Sequence, residues 1–224
     1  MLLEIDFPNG KKQSDTVKAQ NAELQKAFSI QAFPTLMLCD SGGRPYAEAG
    51  FPDEMNPASM LKLLDSQLEL KSARDAAFAK AEKATGLEKA KLLIAALELV
   101  PETCVSSAYG ETIDEIAKLD PEDTTGFVRK ARAEKAFAEL ESEFGELMGK
   151  EQIDAAIGLV DSFLKEKKPS GEAKQKAMLF KVFGLATKED FGKAVEVTDE
   201  LIKIDDSTET AGMAKQVKRQ LENQ

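Results

Sequence analysis

The sequence predicts an α/β region of order β-α-β-β-α over residues 1–70, followed by an all-α region of helical repeats over residues 71–224. Two observations support this division. Apolar runs broken by turn residues are confined to the first region, where they predict strands. Beyond it Ala, Glu, Lys and Leu dominate, interruptions are short, and the apolar residues recur at helical spacing.

The first strand and the first helix are predicted near the N-terminus. The apolar run "LLEIDF" predicts a strand over residues 2–7. A polar segment with helical apolar spacing follows and predicts a helix over residues 14–28. Ser14 or Asp15 is its expected N-cap, because a short side-chain oxygen there can accept a bond from a free backbone N–H.

Two more strands and a helix complete the α/β region. The runs "TLMLCD" (35–40) and "PYAEAGF" (45–51) predict strands on either side of a Ser-Gly-Gly-Arg turn. Asn56 and Pro57 then predict the N-cap and the first position of a helix. We expect its apolar stripe to contain Met60, Leu61, Leu64 and Leu68.

The all-α region contains three segments that share a pattern, with an early alanine, bulky apolar residues at helical spacing and a closing turn. The segments are "GLEKAKLLIAALELVPE" (86–102), "EQIDAAIGLVDSFLKEKKPS" (151–170) and "EDFGKAVEVTDELIKIDDS" (189–207). Their alanines Ala90, Ala156 and Ala194 are expected at close contacts between paired helices. The third segment resembles the second helix of a tetratricopeptide repeat. We expect at least six helices, and an irregular helical bundle is the alternative arrangement.

Composition excludes several classes of function. Forty acidic and thirty basic residues give a net charge of −10, which argues against nucleic-acid or anionic-membrane surfaces. The chain has no histidine, so the commonest general base and metal ligand is absent. Cys39 and Cys104 are far apart and form neither a Cys-x-x-Cys motif nor a zinc spacing. No cofactor or metal site is therefore predicted.

The stretch "AELQKAFSIQAFPTLMLCDSGGRPYAEAGF", preceded by "LLEIDF", resembles the C-terminal half of a thioredoxin domain. The resemblance covers residues 2 to about 70. It implies that Phe33, Pro34 and Thr35 form the loop that binds substrate peptide in that family, with a cis Phe33–Pro34 bond. A trans proline that merely begins a strand is the alternative.

The family's redox Cys-x-x-Cys motif is not in the sequence and would lie upstream of Met1. The resemblance implies a truncated thiol-disulfide oxidoreductase, exported to the bacterial periplasm or cell envelope in its full-length form, although this chain shows no targeting signal. Cys39 is expected to be a core residue. Cys104 lies in the first turn of a predicted helix, whose dipole could lower its pKa slightly, but a structural role is favoured. No catalytic residue is assigned.

Two hypotheses about function remain open. The chain is either a redox-inactive fragment of an oxidoreductase with a helical protein-docking extension, or a non-catalytic interaction scaffold built on helical repeats. The expected partners are protein or peptide substrates. Without a strand between residues 2–7 and 35–40, these two segments would pair directly, or the first would detach, or the exposed sheet edge would pair with a second copy of the chain.

Overall fold

The computed structural model describes residues 3–8, 12–28, 30, 32–52, 54 and 56–222, which form ten helices and a two-stranded antiparallel sheet. The chain divides into two compact units, Met1–Ala133 and Glu134–Gln224. The division into a thioredoxin-like domain (1–70) and a helical-repeat domain (71–224) stays a prediction. The compact units divide elsewhere because one helix runs without a break through residues 70 and 71.

Apart from its first strand, the predicted order β-α-β-β-α is found in the first unit, which then continues as helices. The elements of this unit are α1 (Asp15–Ala27), β1 (Leu36–Cys39), β2 (Pro45–Ala49), α2 (Pro57–Ala81), α3 (Gly86–Leu97), α4 (Glu102–Ala108) and α5 (Gly110–Leu119). The boundary between the units falls within α6 (Phe127–Gly149). The second unit continues with α7 (Ile153–Lys167), α8 (Gly171–Thr187), α9 (Phe191–Ile204) and α10 (Glu209–Leu221).

Local capping chemistry fixes the starts of α1 and α2 as the sequence predicts. The Ser14 hydroxyl accepts a hydrogen bond from the backbone N–H of Val17 at 3.3 Å. The side-chain oxygen of Asn56 accepts one from Ser59 N–H at 2.9 Å, with Pro57 at the first helical position. Each bond satisfies a donor that the helix itself cannot pair.

The predicted strand over residues 2–7 is wrong for the part that the structure describes. Residues 3–7 form no strand, and residue 2 lies outside the described residues. The Asp6 carbonyl accepts hydrogen bonds from the side-chain amides of Gln13 at 2.9 Å and Asn21 at 2.8 Å. A strand needs a ladder partner, and β1 pairs with β2 in the described sheet. Direct pairing of residues 3–7 with β1 is therefore wrong as well.

The helices of the first unit enclose a core that α3, α4 and α5 dominate. Its fully buried members include Ala90, Leu97, Cys104 and Ile116. The predicted apolar stripe of α2 is only half right: Met60 and Leu64 are half-buried, whereas Leu61 and Leu68 are exposed. The packed face of α2 is rotated from the predicted stripe towards Leu63, Gln67 and the buried Arg74, so helical spacing placed this face only in part.

The second unit is a series of helices, each packed on the next. Helix α8 packs on both α7 and α9, and α10 packs on α9. Ala156 and Ala194 are fully buried at these contacts, as predicted, and so is Ala90 in the first unit. Gly184 of α8 allows a close approach to α7, because a Cβ added at Gly184 would lie 2.7 Å from a side-chain carbon of Ile157. Eight described helices begin after residue 71, which confirms the prediction of at least six.

Candidate functional site

The loop of Phe33, Pro34 and Thr35 lies directly before β1. The Phe33–Pro34 peptide bond is cis, as the sequence predicts. The Thr35 hydroxyl donates a hydrogen bond to the Ala32 carbonyl at 2.6 Å and so closes the loop on itself. All three predicted site residues thus belong to one short, locally bonded turn, and their role in binding peptide stays a prediction.

Phe33 projects an apolar ring into solvent and rests on a second exposed ring. Its side chain is 58% exposed, and its centroid lies 5.2 Å from that of Phe7, with the two rings tilted at 41°. Phe7 is itself 39% exposed. The Asp6–Asn21 hydrogen bond holds the backbone beside Phe7 against α1. We call these two residues the Phe7–Phe33 pair. Sequence reasoning missed it because it assigned residues 2–7 to the sheet.

The Phe7–Phe33 pair lies at the open end of the β-hairpin. Leu36 pairs with Ala49, so the start of β1 lies beside the end of β2, two residues before the exposed Phe51. The N–H and C=O of Phe33 form no hydrogen bond with any described residue. Backbone N–H and C=O groups without a partner can bind the main chain of an extended peptide, and exposed apolar rings beside them can bind one of its side chains.

A buried polar cluster, which the sequence did not reveal, attaches the other end of the hairpin to the helices. Arg74 of α2 is 1% exposed. Its guanidinium donates to Asp40 at 3.0 Å, to Asp75 at 2.7 Å and to the Tyr109 hydroxyl at 2.8 Å. That hydroxyl donates in turn to the Pro45 carbonyl at 2.6 Å. The cluster therefore joins both strands to α2 and to the junction between α4 and α5.

The charges of this cluster stabilise one another. Burial alone would raise the pKa of Asp40, but the N–H groups of Arg44 and Gly42, with the guanidinium groups of Arg44 and Arg74, bring that pKa below its ordinary value. Burial raises the pKa of Tyr109, although the neighbouring Arg74 opposes this effect. Arg74 also lies over the ring of Tyr46, 5.7 Å from its centroid. With every partner in place, the cluster is a structural element rather than a reactive one.

Neither cysteine is an activated nucleophile. Both thiols are free, with Cys39 half-buried and Cys104 fully buried. Burial raises both pKa values, and the charge of Asp40 adds to the effect at Cys39. The expectation that a helix dipole lowers the pKa of Cys104 is wrong. Burial of the thiol raises this pKa most, the charge of Glu48 adds to the effect, and the hydrogen bond with Thr103 opposes it.

Two features are absent from the described part of the chain. It contains no group of three or more Cys, Asp or Glu side chains placed to hold a metal ion. None of its helices is both long enough and apolar enough to cross a lipid bilayer.

Part of the chain is similar to a known disulfide bond reductase. No protein-family profile matches the chain, and no solved structure matches it significantly. The disulfide bond reductase DsbH of Chlamydia pneumoniae is 32% identical to it over 50 residues, which are 22% of this chain and 30% of that protein. The chain therefore matches less than a third of the length of that relative. The match supports a relation between part of this chain and a thiol-disulfide reductase.

Proposed function

We propose that this chain carries the substrate-peptide-binding part of a thioredoxin-like thiol-disulfide oxidoreductase. Phe33, Pro34 and Thr35 receive an extended segment of a protein substrate at the mouth of β1. One observation carries the proposal: Phe33 has a 58% exposed ring and a peptide group without a hydrogen-bond partner among the described residues. The partial match to a disulfide bond reductase supports the same class of activity.

Binding uses the main chain and the apolar rings together. The free N–H and C=O of Phe33 pair with the backbone of the substrate, as in the addition of a strand to a sheet. One apolar side chain of the substrate packs on the Phe7–Phe33 pair. Exposed aromatic rings suit this role because they add contact area and lose little conformational freedom on binding.

The thiol-disulfide exchange itself requires a thiolate that these residues do not supply. Burial keeps the pKa values of Cys39 and Cys104 raised, so both thiols remain protonated at neutral pH. We therefore propose that the chain alone is redox-inactive. A dithiol that is not among the two cysteines of this sequence performs the exchange on the substrate that the loop holds.

In this proposal the helical region is a protein-docking extension that resembles tetratricopeptide repeats. Helices α7–α10 pack one on the next, which is how repeat proteins build extended binding surfaces. We propose that the full-length protein is exported and that the activity operates in the bacterial periplasm or cell envelope. The alternative is a scaffold without redox function, in which this helical surface provides all of the binding.

A peptide-binding experiment tests the proposal. A fluorescein-labelled extended peptide with a central Leu and a Ser in place of the reactive Cys is titrated with the chain and with Phe33→Ala. Loss of one packed apolar side chain should weaken binding roughly tenfold. Leu61→Ala is the matched control, because Leu61 is 61% exposed on α2 and lies outside the loop. Equal affinities for Phe33→Ala and the wild-type chain would contradict the proposal.

A further inference from the structure

Helix α1 fixes both backbone segments that carry the Phe7–Phe33 pair. The side-chain amide of Asn21 donates a hydrogen bond at 2.8 Å to the backbone carbonyl that directly precedes Phe7. The side-chain amide of Gln25 donates one at 3.3 Å to the carbonyl of Ile30, three residues before Phe33. Asn21 and Gln25 are four residues apart, so they lie on one face of α1. This face therefore brings together two segments that are distant along the chain.

The attachment of the segment beside Phe7 is polar and partly buried. Asn21 is 7% exposed and is the buried residue of α1, whose other residues are half-buried or exposed. The amide of Gln13 donates to the same carbonyl, that of Asp6, at 2.9 Å. A carbonyl oxygen has two lone pairs, so these two bonds use its full capacity. The position of Phe7 thus depends on side-chain amides rather than on a strand ladder.

The two rings that α1 holds together remain open to a third ring. Their centroids are 5.2 Å apart and their planes are tilted at 41°, which is a favourable arrangement for two aromatic rings. Both side chains keep more than a third of their surface in solvent, with 58% exposed for Phe33 and 39% for Phe7. An aromatic side chain of a ligand can therefore contact both rings at once.

We propose that the substrate segments of this site present an aromatic side chain to the Phe7–Phe33 pair. Phe7 is then a specificity-determining residue, and Asn21 and Gln25 are positioning residues that act through the two rings. This inference rests on the proposed function and adds the chemical class of the substrate side chain. Contacts between aromatic rings predict roughly a two- to tenfold preference for an aromatic over an aliphatic side chain.

The experiment compares three extended peptides of equal length, with Phe, Leu or Ser at the central position. Each is titrated with the wild-type chain and with Phe7→Leu, which keeps an apolar side chain but removes the ring. The readout is the ratio of the affinities for the Phe and Leu peptides, because a loss of folded protein would weaken both equally. This ratio should fall roughly two- to threefold in Phe7→Leu, since the ring of Phe33 remains.

A second variant tests the positioning role of α1. Asn21→Leu replaces the buried amide by an apolar side chain of similar size, so the segment beside Phe7 loses one of its two attachments. We expect the affinity ratio to fall here as well, and the ring-current shift of the Phe7 ring protons caused by Phe33 to decrease in NMR spectra. A purely structural role of Asn21 would lower stability and leave both of these readouts unchanged.

A matched control removes an equally exposed ring elsewhere. Phe183 of α8 is 42% exposed, and Phe183→Leu should keep the affinity ratio of the wild-type chain. An unchanged ratio in Phe7→Leu, or an equal fall in Phe183→Leu, would overturn the inference. The proposed function would still stand if the Leu peptide bound in a Phe33-dependent way. Failure of all three peptides to bind would instead overturn the proposed function, and the inference with it.

Discussion

Replacing Asp40 by Ala tests whether the buried Arg74 cluster holds the hairpin on the helices. The substitution leaves the guanidinium of Arg74, 1% exposed, without one of its two carboxylate partners. Removing one member of a buried ion pair costs about 3–5 kcal/mol. Because Asp75 still binds Arg74, we expect the lower end of this range for the pair itself.

The turn adds a smaller contribution. Asp40 also accepts hydrogen bonds from the backbone N–H of Gly42 at 2.9 Å and of Arg44 at 3.0 Å. This turn is exposed, so their loss adds about 1 kcal/mol. The free energy of unfolding of the first unit should therefore fall by about 4 kcal/mol in all, which is a large part of the stability of a typical domain.

Urea unfolding followed by tyrosine fluorescence measures this change in the first unit alone. The chain has two tyrosines and no tryptophan, and both tyrosines lie in the cluster around Arg74. Arg44→Ala is the control, because it removes an exposed cation from the same carboxylate and should cost less than about 1 kcal/mol. The reasoning fails if Asp40→Ala destabilises the unit no more than Arg44→Ala does.

Four further outcomes are expected. Gly184→Ala should destabilise the second unit by about 1–2 kcal/mol, because the cost of overpacking exceeds the gain in helix propensity. Gly158→Ala has open space around it and should stabilise the unit by up to about 1 kcal/mol. Urea unfolding followed by circular dichroism distinguishes the two signs. Asp120 has its pKa lowered from 3.8 to about 2, chiefly by backbone N–H bonds, so the unfolded state binds more protons and stability should be lost as the pH falls from about 4 to 2. That loss should be smaller in Asp120→Asn. The chain should not reduce a protein disulfide above background, and turnover that vanished on Cys39→Ser or Cys104→Ser would contradict this. We expect self-association through the outer edge of β1, and a strictly monomeric chain in light scattering at low micromolar concentration would refute it.

The features that the sequence predicts correctly are local ones. Ser14 and Asn56 begin their helices through contacts three residues away, and the hairpin depends on a short turn between two apolar runs. The alanines Ala90, Ala156 and Ala194 could be placed at helix contacts because each is a small residue early in a segment with bulky apolar residues at helical spacing. Each of these features needs only neighbouring residues in the chain.

The features that the sequence does not reveal depend on residues that are distant along the chain. Arg74 meets Asp40 and Tyr109 across separations of 34 and 35 residues, and nothing in its own helix marks it as buried. The segment before α1 has the apolar pattern of a strand, but that pattern does not supply a ladder partner. Its contact with the loop through Phe7 is a tertiary feature of the same kind.

The position of a bound peptide tests the central claim most directly. Nitrogen–proton correlation NMR spectra of the chain are recorded while an extended peptide with a central Leu is added. The account predicts that the shifted backbone resonances belong to Phe7, Ala32, Phe33 and Thr35, with the helices of the second unit unchanged. Shifts confined to α7–α10 would contradict it and would favour the helical scaffold.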